Sequence, residues 1–549
     1  MIDARRTLSF SALSLTFALA HAQQPPGDQP PATPPAQETA PARGLRVNVD
    51  GASAGYTLLS PLQSRSTYLV NARGETVHEW KTEFGPGNSD HLLANGHLLR
   101  CARMEDGKTF QGGGIGGRVQ EFDWDGKLVW DYVLADETRH LHHDFEPMPN
   151  GHVLVIAWER KTREEALARG RDAAQVGEDG LWPDVVLEIE PVLPTGGKIV
   201  WEWRVWDHLI QDRDAKLAGY GVVPEHAELL DVNADHRHDA PLTAAQRAEK
   251  AERDRAMRAT GYAGGGDEDD PPADAKDAPR GEADWLHTNS IDYDAANDLV
   301  LLSSPRLSEI WIFDHSTTTA EAATHTGGKR GHGGDFLWRW GNPRNYGAGT
   351  KDDRKLFAQH DARWIKPGSP GAGHVLVFDN GQGRSGEPFS SVVELELPFD
   401  AKRGFTRGTG ETWGPRATAW TYSDPAHFYA SFISGADRLP NGNTLVCEGP
   451  AGRVFEVTPK GAIVWELLNT LGGDLPMRGG PRPGGRGGPP PGGPRGDGPP
   501  PGGGRGPRGD RGPRGGGPGG GGPPGMTPFA LFRATHIAPD HPALAGRKL

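Results

Sequence analysis

Six times along this chain a short strand-like segment, a turn and a second segment ending in aromatic or large apolar residues recur: Tyr68–Val70 to Trp80, Val119–Phe122 to Tyr132, Val185 to Trp203, Ile310 to Trp340, Val392 to Tyr422 and Val454 to Leu467. The second segments alternate bulky and polar residues, as in Trp130-Asp131-Tyr132, Trp201-Glu202-Trp203 and Trp338-Arg339-Trp340, which is the period of a β-strand. Turn dipeptides such as Arg73-Gly74, Asp125-Gly126, Gly196-Gly197 and Lys460-Gly461 join the two halves. Between successive copies lies another strand pair: Leu92 to Arg100, Phe145 to Trp158, Ile291 to Ser304, Trp364 to Phe378 and Leu439 to Glu448. Each period thus supplies four strands. Such a chain, with almost no amphipathic helix, is expected to be all-β: a six-bladed β-propeller of four-stranded antiparallel blades. Pairing of Tyr56–Leu59 with the C-terminal Phe529–Thr535 is expected to close the ring. A β-sandwich or a β-solenoid is the competing architecture.

Gly (78) and Pro (48) together make nearly a quarter of the 549 residues, too many for such a fold unless they are concentrated outside it. They are. Arg5-Arg6, the apolar run Leu8–Ala20 and the Ala20-His21-Ala22 site read as a signal peptide over residues 1–22, cleaved after Ala22, so a periplasmic or secreted protein is expected. The apolar run is too short to span a bilayer. Residues 23–43 form a Pro-rich linker, leaving 44–549 for the propeller. Arg478 to Gly525 uses only Gly, Pro, Arg and Asp, without the strict period of collagen, and is expected to be a disordered loop. A further insertion, 211–283, carries a polar helix starting near Thr243 and Gln246 and ending before Gly261, then an acidic loop over Gly264–Asp277. The charge balance, 59 Lys+Arg against 72 Asp+Glu or 59 − 72 = −13, argues against a nucleic-acid partner, and a hydrophobic content of 35% argues against a membrane span. Cys101 and Cys447 lie far apart in the repeat order, so no structural disulfide is expected.

Aligning the periods on their inner turns exposes a chemical register. His143 stands seven residues before Asn150, His287 seven before Asp294 and His360 seven before Pro367, while Asn88 and Ser434 hold the same position in two other periods. The first strand of each propeller blade lines the central channel, so these imidazoles should converge on the axis. Asn289 shares a face with His287 by the period-two rule, Arg306 ends the next strand, and Asp144 and Asp361 each follow a register histidine and could orient one. Histidines with an arginine make an anion site, because the guanidinium is a fork of donors and imidazole can donate, accept or attack. The arginine weighs against a three-histidine metal centre, although His140, His142 and His143 in one stretch keep that alternative open.

The segments Leu141–Asp144, Asp284–Ser290, Ser303–Arg306, Gln359–Asp361, Phe532–Ala534, Ala538–Asp540 and Leu544–Gly546 resemble the bacterial arylsulfate sulfotransferases, six-bladed propeller enzymes that are usually periplasmic and independent of the nucleotide sulfate donor. The resemblance implies ping-pong transfer of a sulfuryl group from a phenolic sulfate ester to an acceptor phenol, through a sulfated histidine, with no metal or cofactor. It implies His360 as nucleophile, with His287, Asn289 and Arg306 holding the sulfuryl oxygens and His143, or else His142, completing the anion pocket. Pro305 beside Arg306 departs from the family pattern, as does the absence of a cysteine pair near the site, and the 211–283 insertion could cover one mouth of the channel. A non-catalytic binding propeller and a metal-dependent ester hydrolase using the histidine cluster are the alternatives.

Overall fold

The computed structural model describes residues 42–104, 109–235, 244–260, 262, 282–400, 402–408, 410–475 and 528–549. The signal peptide, most of the Pro-rich linker, the start of the insertion's helix at Thr243, the acidic loop and the Gly/Pro/Arg segment lie outside the described residues.

Six four-stranded antiparallel sheets stand in a ring, so the protein is a six-bladed β-propeller. From the channel outward, the first blade is Leu531–Ile537, Tyr56–Pro61, Ser66–Asn71 and Thr76–Lys81. The second is Pro86–Leu92, Leu98–Arg103, Gly117–Phe122 and Leu128–Val133, and the third Arg139–Pro147, Val153–Glu159, Asp184–Pro191 and Gly197–Arg204. The fourth is Ser290–Asp294, Leu299–Ser304, Glu309–Asp314 and Phe336–Trp340, and the fifth His360–Trp364, Val375–Asp379, Ser391–Leu395 and Trp420–Ser423. The sixth, Gly435–Arg438, Thr444–Glu448, Arg453–Val457 and Ile463–Leu468, gains a fifth, outermost strand, Gly44–Asn48.

Both ends of the propeller chain therefore tie the ring. The C-terminal strand pairs with the first blade's second strand, Tyr56 opposite Ile537 and Leu59 opposite Ala534, and Gly44–Asn48 pairs with Ile463–Leu468. Middle strands are covered on both faces by neighbouring blades, which is why Leu299–Ser304 and Val153–Glu159 are continuously buried, whereas an outermost strand such as Leu128–Val133 alternates.

The recurring aromatics have a second function. In every blade an outer-strand tryptophan donates its indole N–H to a backbone carbonyl in the outer loop of the next blade: Trp80 to Asp123 (3.1 Å), Trp130 to Gly196 (2.7 Å), Trp203 to Gly334 (2.7 Å), Trp338 to Gly414 (2.7 Å), Trp420 to Pro459 (3.0 Å) and Trp465 to Ala72 (2.8 Å). The sixth bond returns to the first blade and completes the circle. Each indole fills the space between two blades and satisfies its one donor there, contributing about 1 kcal/mol per bond beyond its apolar burial.

The insertion's helix, Ala244–Ala259, packs Ala256 and Met257 against Leu62, Phe432, Ile433, Ala530 and Phe532, a cluster that also holds Tyr262. Cys101 and Cys447 are both buried and free. Among the described residues, no helix is long and apolar enough to cross a membrane.

Candidate active site

The register positions share a backbone feature. Asn88 (φ 98), His143 (φ 54), His287 (φ 56) and Ser434 (φ 88) are all left-handed, and in the fifth blade the kink falls one residue later, at Asp361 (φ 54). Inner-strand pairing shifts register at the same places, between Pro86 and Asp90 and between His360 and Arg363. Left-handed backbone costs a non-glycine residue about 1–2 kcal/mol. Its recurrence on five blades marks a common constraint at the channel mouth.

In the third blade the constraint is visible. Adjacent residues of a regular strand point to opposite faces, yet the Nδ1 atoms of His142 and His143 are only 2.7 Å apart, both rings buried. The kink turns His143 toward the channel while His142 stays stacked on Trp158 (centroids 4.2 Å, 6°), its Nε2 3.2 Å from Asp184 Oδ1. Gly114 makes room for the His143 ring and accepts its backbone N–H (2.7 Å).

His143 Nε2 then meets His287 Nε2 at 3.2 Å and the Tyr262 hydroxyl at 2.7 Å, and that hydroxyl lies 3.2 Å from His287 Nε2. On its far side, His287 Nδ1 bonds the carboxylate of Asp284, whose other oxygen accepts the Trp158 indole N–H (3.0 Å). A carboxylate only accepts, so His287 Nδ1 carries a proton and Nε2 is the nitrogen presented to the pocket. Burial alone would raise the Asp284 carboxyl, but His287 and Arg306 outweigh it and hold the group below its ordinary range. His287 is thereby backed by a fixed negative charge, which suits an imidazole that must carry a proton during reaction.

His360 belongs to a separate hydrogen-bond set. Asn380 donates its amide N–H groups to the carbonyls of Ala430 (2.8 Å) and Ile433 (3.0 Å), so the atom it turns to His360 Nδ1, at 2.7 Å, is its oxygen. His360 therefore holds its proton on Nδ1 and keeps a lone pair on Nε2, which accepts the Ile433 backbone N–H (3.2 Å). Burial, reinforced by His287 and Arg533, pushes the His360 pKa down to about 3 against the hydrogen bond it donates to Asn380. Burial and the neighbouring histidines likewise push His143 well down. Both rings are thus neutral at physiological pH, the state in which imidazole is a nucleophile.

The remaining residues singled out by sequence are distributed unequally. Asn289 is buried, donates to the Gln359 carbonyl (2.8 Å) immediately before His360, and leaves its Oδ1 without a hydrogen-bond partner. Arg306 lies at the rim, its side chain 34% exposed and paired with Glu282 of the insertion, which Lys250 of the helix also meets at 3.1 Å. Asp144 and Asp361 do not bond the histidines that precede them. They face the channel and are held by Arg533, Asp144 at 2.7 Å and Asp361 at 2.8 Å. Arg533 also reaches Ser89 Oγ (3.1 Å) and the Asn289 carbonyl (3.0 Å).

Sequence reasoning gave no role to Tyr262, Asp284, Asn380 or Gly114. Asp284 had a signal, three residues before His287 at the start of the same motif. Tyr262 had none beyond being a lone aromatic following the polar helix, and it is the residue of the insertion whose hydroxyl meets His143 and His287.

The arylsulfotransferase (ASST) family profile matches residues 56–465. Arylsulfate sulfotransferase AssT of Escherichia coli O6:H1 strain CFT073 is 25% identical over 410 residues, covering 71% of this chain and 58% of its own length. Arylsulfate sulfotransferase AssT of Lelliottia amnigena is 24% identical over 355 residues, covering 62% of this chain and 51% of its own. The chain thus spans little more than half the length of these curated relatives. A solved structure of a protein of unknown function from Bacteroides caccae aligns with 77% of this chain and 97% of its own, at 11% identity and a TM-score of 0.37. Because the profile runs from the first strand of the repeat, Tyr56–Pro61, into the outer strand of the last blade, Ile463–Leu468, this chain belongs to the arylsulfotransferase (ASST) family.

Proposed function

We propose that the protein is an exported aryl sulfotransferase that moves a sulfuryl group from a phenolic sulfate ester to an acceptor phenol through a sulfated His360. The observation that carries this reading is the state of His360: neutral, protonated on Nδ1 by virtue of Asn380, and with its Nε2 lone pair held by nothing stronger than the 3.2 Å contact from the Ile433 backbone N–H. Family membership supplies the reaction class.

In the first half-reaction His360 Nε2 attacks the ester sulfur, an S–N bond forms, and the bond from sulfur to the phenolic oxygen breaks. The leaving phenolate needs a proton, and His287 would give one from Nε2 if it enters the cycle doubly protonated with Nδ1–H on Asp284, leaving its Nε2 bare for the second half-reaction. In the second half-reaction the acceptor phenol gives its proton to His287 as its oxygen takes the sulfur and the S–N bond breaks. Charge grows on the sulfuryl oxygens as sulfur becomes five-coordinate, and His143, the Asn289 amide and Arg306 are the donors for it. Arg306 is engaged with Glu282 in this structure, so it turns inward from that partner when an anion enters. The Met1–Ala22 segment supports export.

The test is to mix purified protein with 4-nitrophenyl sulfate, with and without a second phenol, while following nitrophenol release and protein mass. The reading requires sustained release that depends on the acceptor and a mass gain of about 80 Da, one SO₃, on His360. Acceptor-independent release abolished by a chelator would replace it with a metal-dependent hydrolase. Binding of aryl sulfates without any release would leave a binding propeller.

A further inference from the structure

A second group of histidines lies on the outer strands of the third and fourth blades, away from the channel. His208 follows the third blade's outermost strand, and His325 and Asp335 bracket the loop leading into the fourth blade's outermost strand, Phe336–Trp340. Three ligand atoms, one from each, all lie within 4.8 Å of one another. His208 Nδ1 and His325 Nδ1 are both 2.8 Å from the same atom, Asp335 Oδ1.

The protonation of His208 makes this arrangement informative. Its Nε2 is 2.8 Å from the Ala322 carbonyl, which only accepts, so Nε2 carries a proton. Nδ1 is then the nitrogen turned to the Asp335 carboxylate oxygen in a buried place, and His325 Nδ1 meets that same oxygen from the exposed side. A metal-ligating histidine commonly gives its other N–H to a backbone carbonyl, which fixes the tautomer and the ring direction, and Ala322 does this for His208.

The site is also built rather than incidental. Trp203 stacks on His208 (centroids 5.7 Å, 7°) and donates its indole N–H to the Gly334 carbonyl at 2.7 Å. Gly334 N bonds the Thr324 carbonyl (3.0 Å), which clamps the loop ends so that His325 and Asp335 face each other. At Gly334 a Cβ would lie 2.1 Å from Ala322 O and 2.6 Å from His208 Nε2, so only glycine lets the loop come this close to the ring. His208 and Asp335 are buried, whereas the His325 side chain is 59% exposed, leaving an entry path on one side.

We propose that His208, His325 and Asp335 bind one divalent transition-metal ion of the zinc type, clamping the third blade to the fourth. Two imidazole nitrogens and one carboxylate oxygen suit zinc, with a water or an external ligand in the fourth position. The site draws on no channel residue, so it stands apart from the sulfotransferase reading.

The test is zinc titration of the full-length, chelator-stripped protein by calorimetry at pH 7.5, with metal content measured after gel filtration and thermal unfolding followed with and without zinc. The expected result is one zinc per chain and a rise in Tm on zinc addition. H325A should weaken binding by at least the 10–100-fold that losing a ligand's orienting partner costs, and abolish the zinc-dependent rise in Tm. Because His325 is exposed, the variant should unfold at the wild-type temperature in the absence of zinc. H143A should bind zinc as the wild type does. The proposal is overturned if the wild type takes up no zinc, which leaves His208, His325 and Asp335 as a hydrogen-bonded cluster, or if binding survives H325A.

Discussion

A matched pair of glycine substitutions separates displacement of His143 from left-handed backbone strain. Gly114 (φ +77) and Gly126 (φ +81) have nearly the same left-handed backbone, so Ala at either is strained by about 1–2 kcal/mol. They differ in surroundings. A Cβ on Gly126 meets nothing within 4 Å, whereas one on Gly114 falls 2.2 Å from Cε1 and Nε2 of His143. Ordinary contact begins at 3.4 Å, so the ring must move by 3.4 − 2.2 = 1.2 Å. That ring cannot move without loosening its bonds to Tyr262, His287 and His142. A misplacement of about 1 Å at reacting groups can cost roughly 100-fold in rate. Gly114→Ala should therefore lose about 1–3 kcal/mol more than Gly126→Ala in urea or thermal unfolding, the cost of overpacking a buried site, and only Gly114→Ala loses about two orders of magnitude in acceptor-dependent nitrophenol release by the folded protein. Wild-type turnover in a folded Gly114→Ala protein would refute the assignment of His143 to the reacting pocket.

Other expectations follow from the same geometry. Asn380→Ala leaves the buried His360 Nδ1–H without its acceptor and frees the tautomer, so single-turnover formation of sulfated His360 should slow by about 1–3 kcal/mol, roughly 5- to 150-fold, with donor KM little changed; an unchanged rate would show that the lone pair on Nε2 is not the nucleophile. Tyr262→Phe keeps the ring packing but removes a hydroxyl sitting where a substrate oxygen must meet His143 and His287, so KM should fall for both donor and acceptor by up to about 10-fold. If kcat falls instead at constant KM, Tyr262 carries a proton. For pH, the His360 and His91 pKa values in the folded protein are each pushed by burial from 6.5 to about 3. The folded state then binds fewer protons than the unfolded one below pH 6.5, so the associated stability is present above that pH and is lost as pH falls toward 3, by up to about 5 kcal/mol per group. Denaturant midpoints measured from pH 7 to 4 should drop steadily, whereas the nucleophile's own rate should show no acid limb near pH 6.5.

The parts of this protein legible in the sequence are those written as local periodicity. The strand pairs, the glycine turns and the shared spacing of His143, His287 and His360 come from one pattern repeated along the chain, and the blades fall where that pattern puts them. The tryptophans were legible as strand ends, but which way each indole points depends on the neighbouring blade, so the inter-blade hydrogen-bond ring was not. The backbone kinks were equally hidden, because His, Asn and Ser rarely announce a left-handed φ. Without the kink at His143, alternation would assign either His142 or His143 to the channel but not explain their Nδ1 contact. Asn380 lies twenty residues beyond His360 and meets it through strand pairing whose register is shifted by a bulge. Tyr262 arrives from an insertion outside the repeat, where periodicity carries no information.

Closure of the ring and assembly of the site are one event in this fold. The strand Leu531–Ile537 is the last of the described strands in sequence order and the innermost strand of the first blade. It delivers Arg533 to the axis, where a single guanidinium contacts Ser89 of the second blade, Asp144 of the third and Asp361 of the fifth, together with the Asn289 carbonyl just before the fourth. Asp144 and Asp361 in turn accept backbone N–H groups of the next blades, Ile291 at 3.0 Å and Ala436 at 3.0 Å. Arg363 of the fifth blade also pairs with both carboxylates, Asp361 at 2.6 Å and Asp144 at 3.6 Å, so docking of the Leu531–Ile537 strand adds a second cation to two buried charges that one guanidinium compensates only in part. The register histidines sit directly beside them in sequence, His143 before Asp144 and His360 before Asp361, so their approach to the axis depends on the same ion pairs. Arg533 therefore acts on the reaction at a remove: it fixes the strands that carry the histidines, and its positive charge helps keep His143 and His360 neutral.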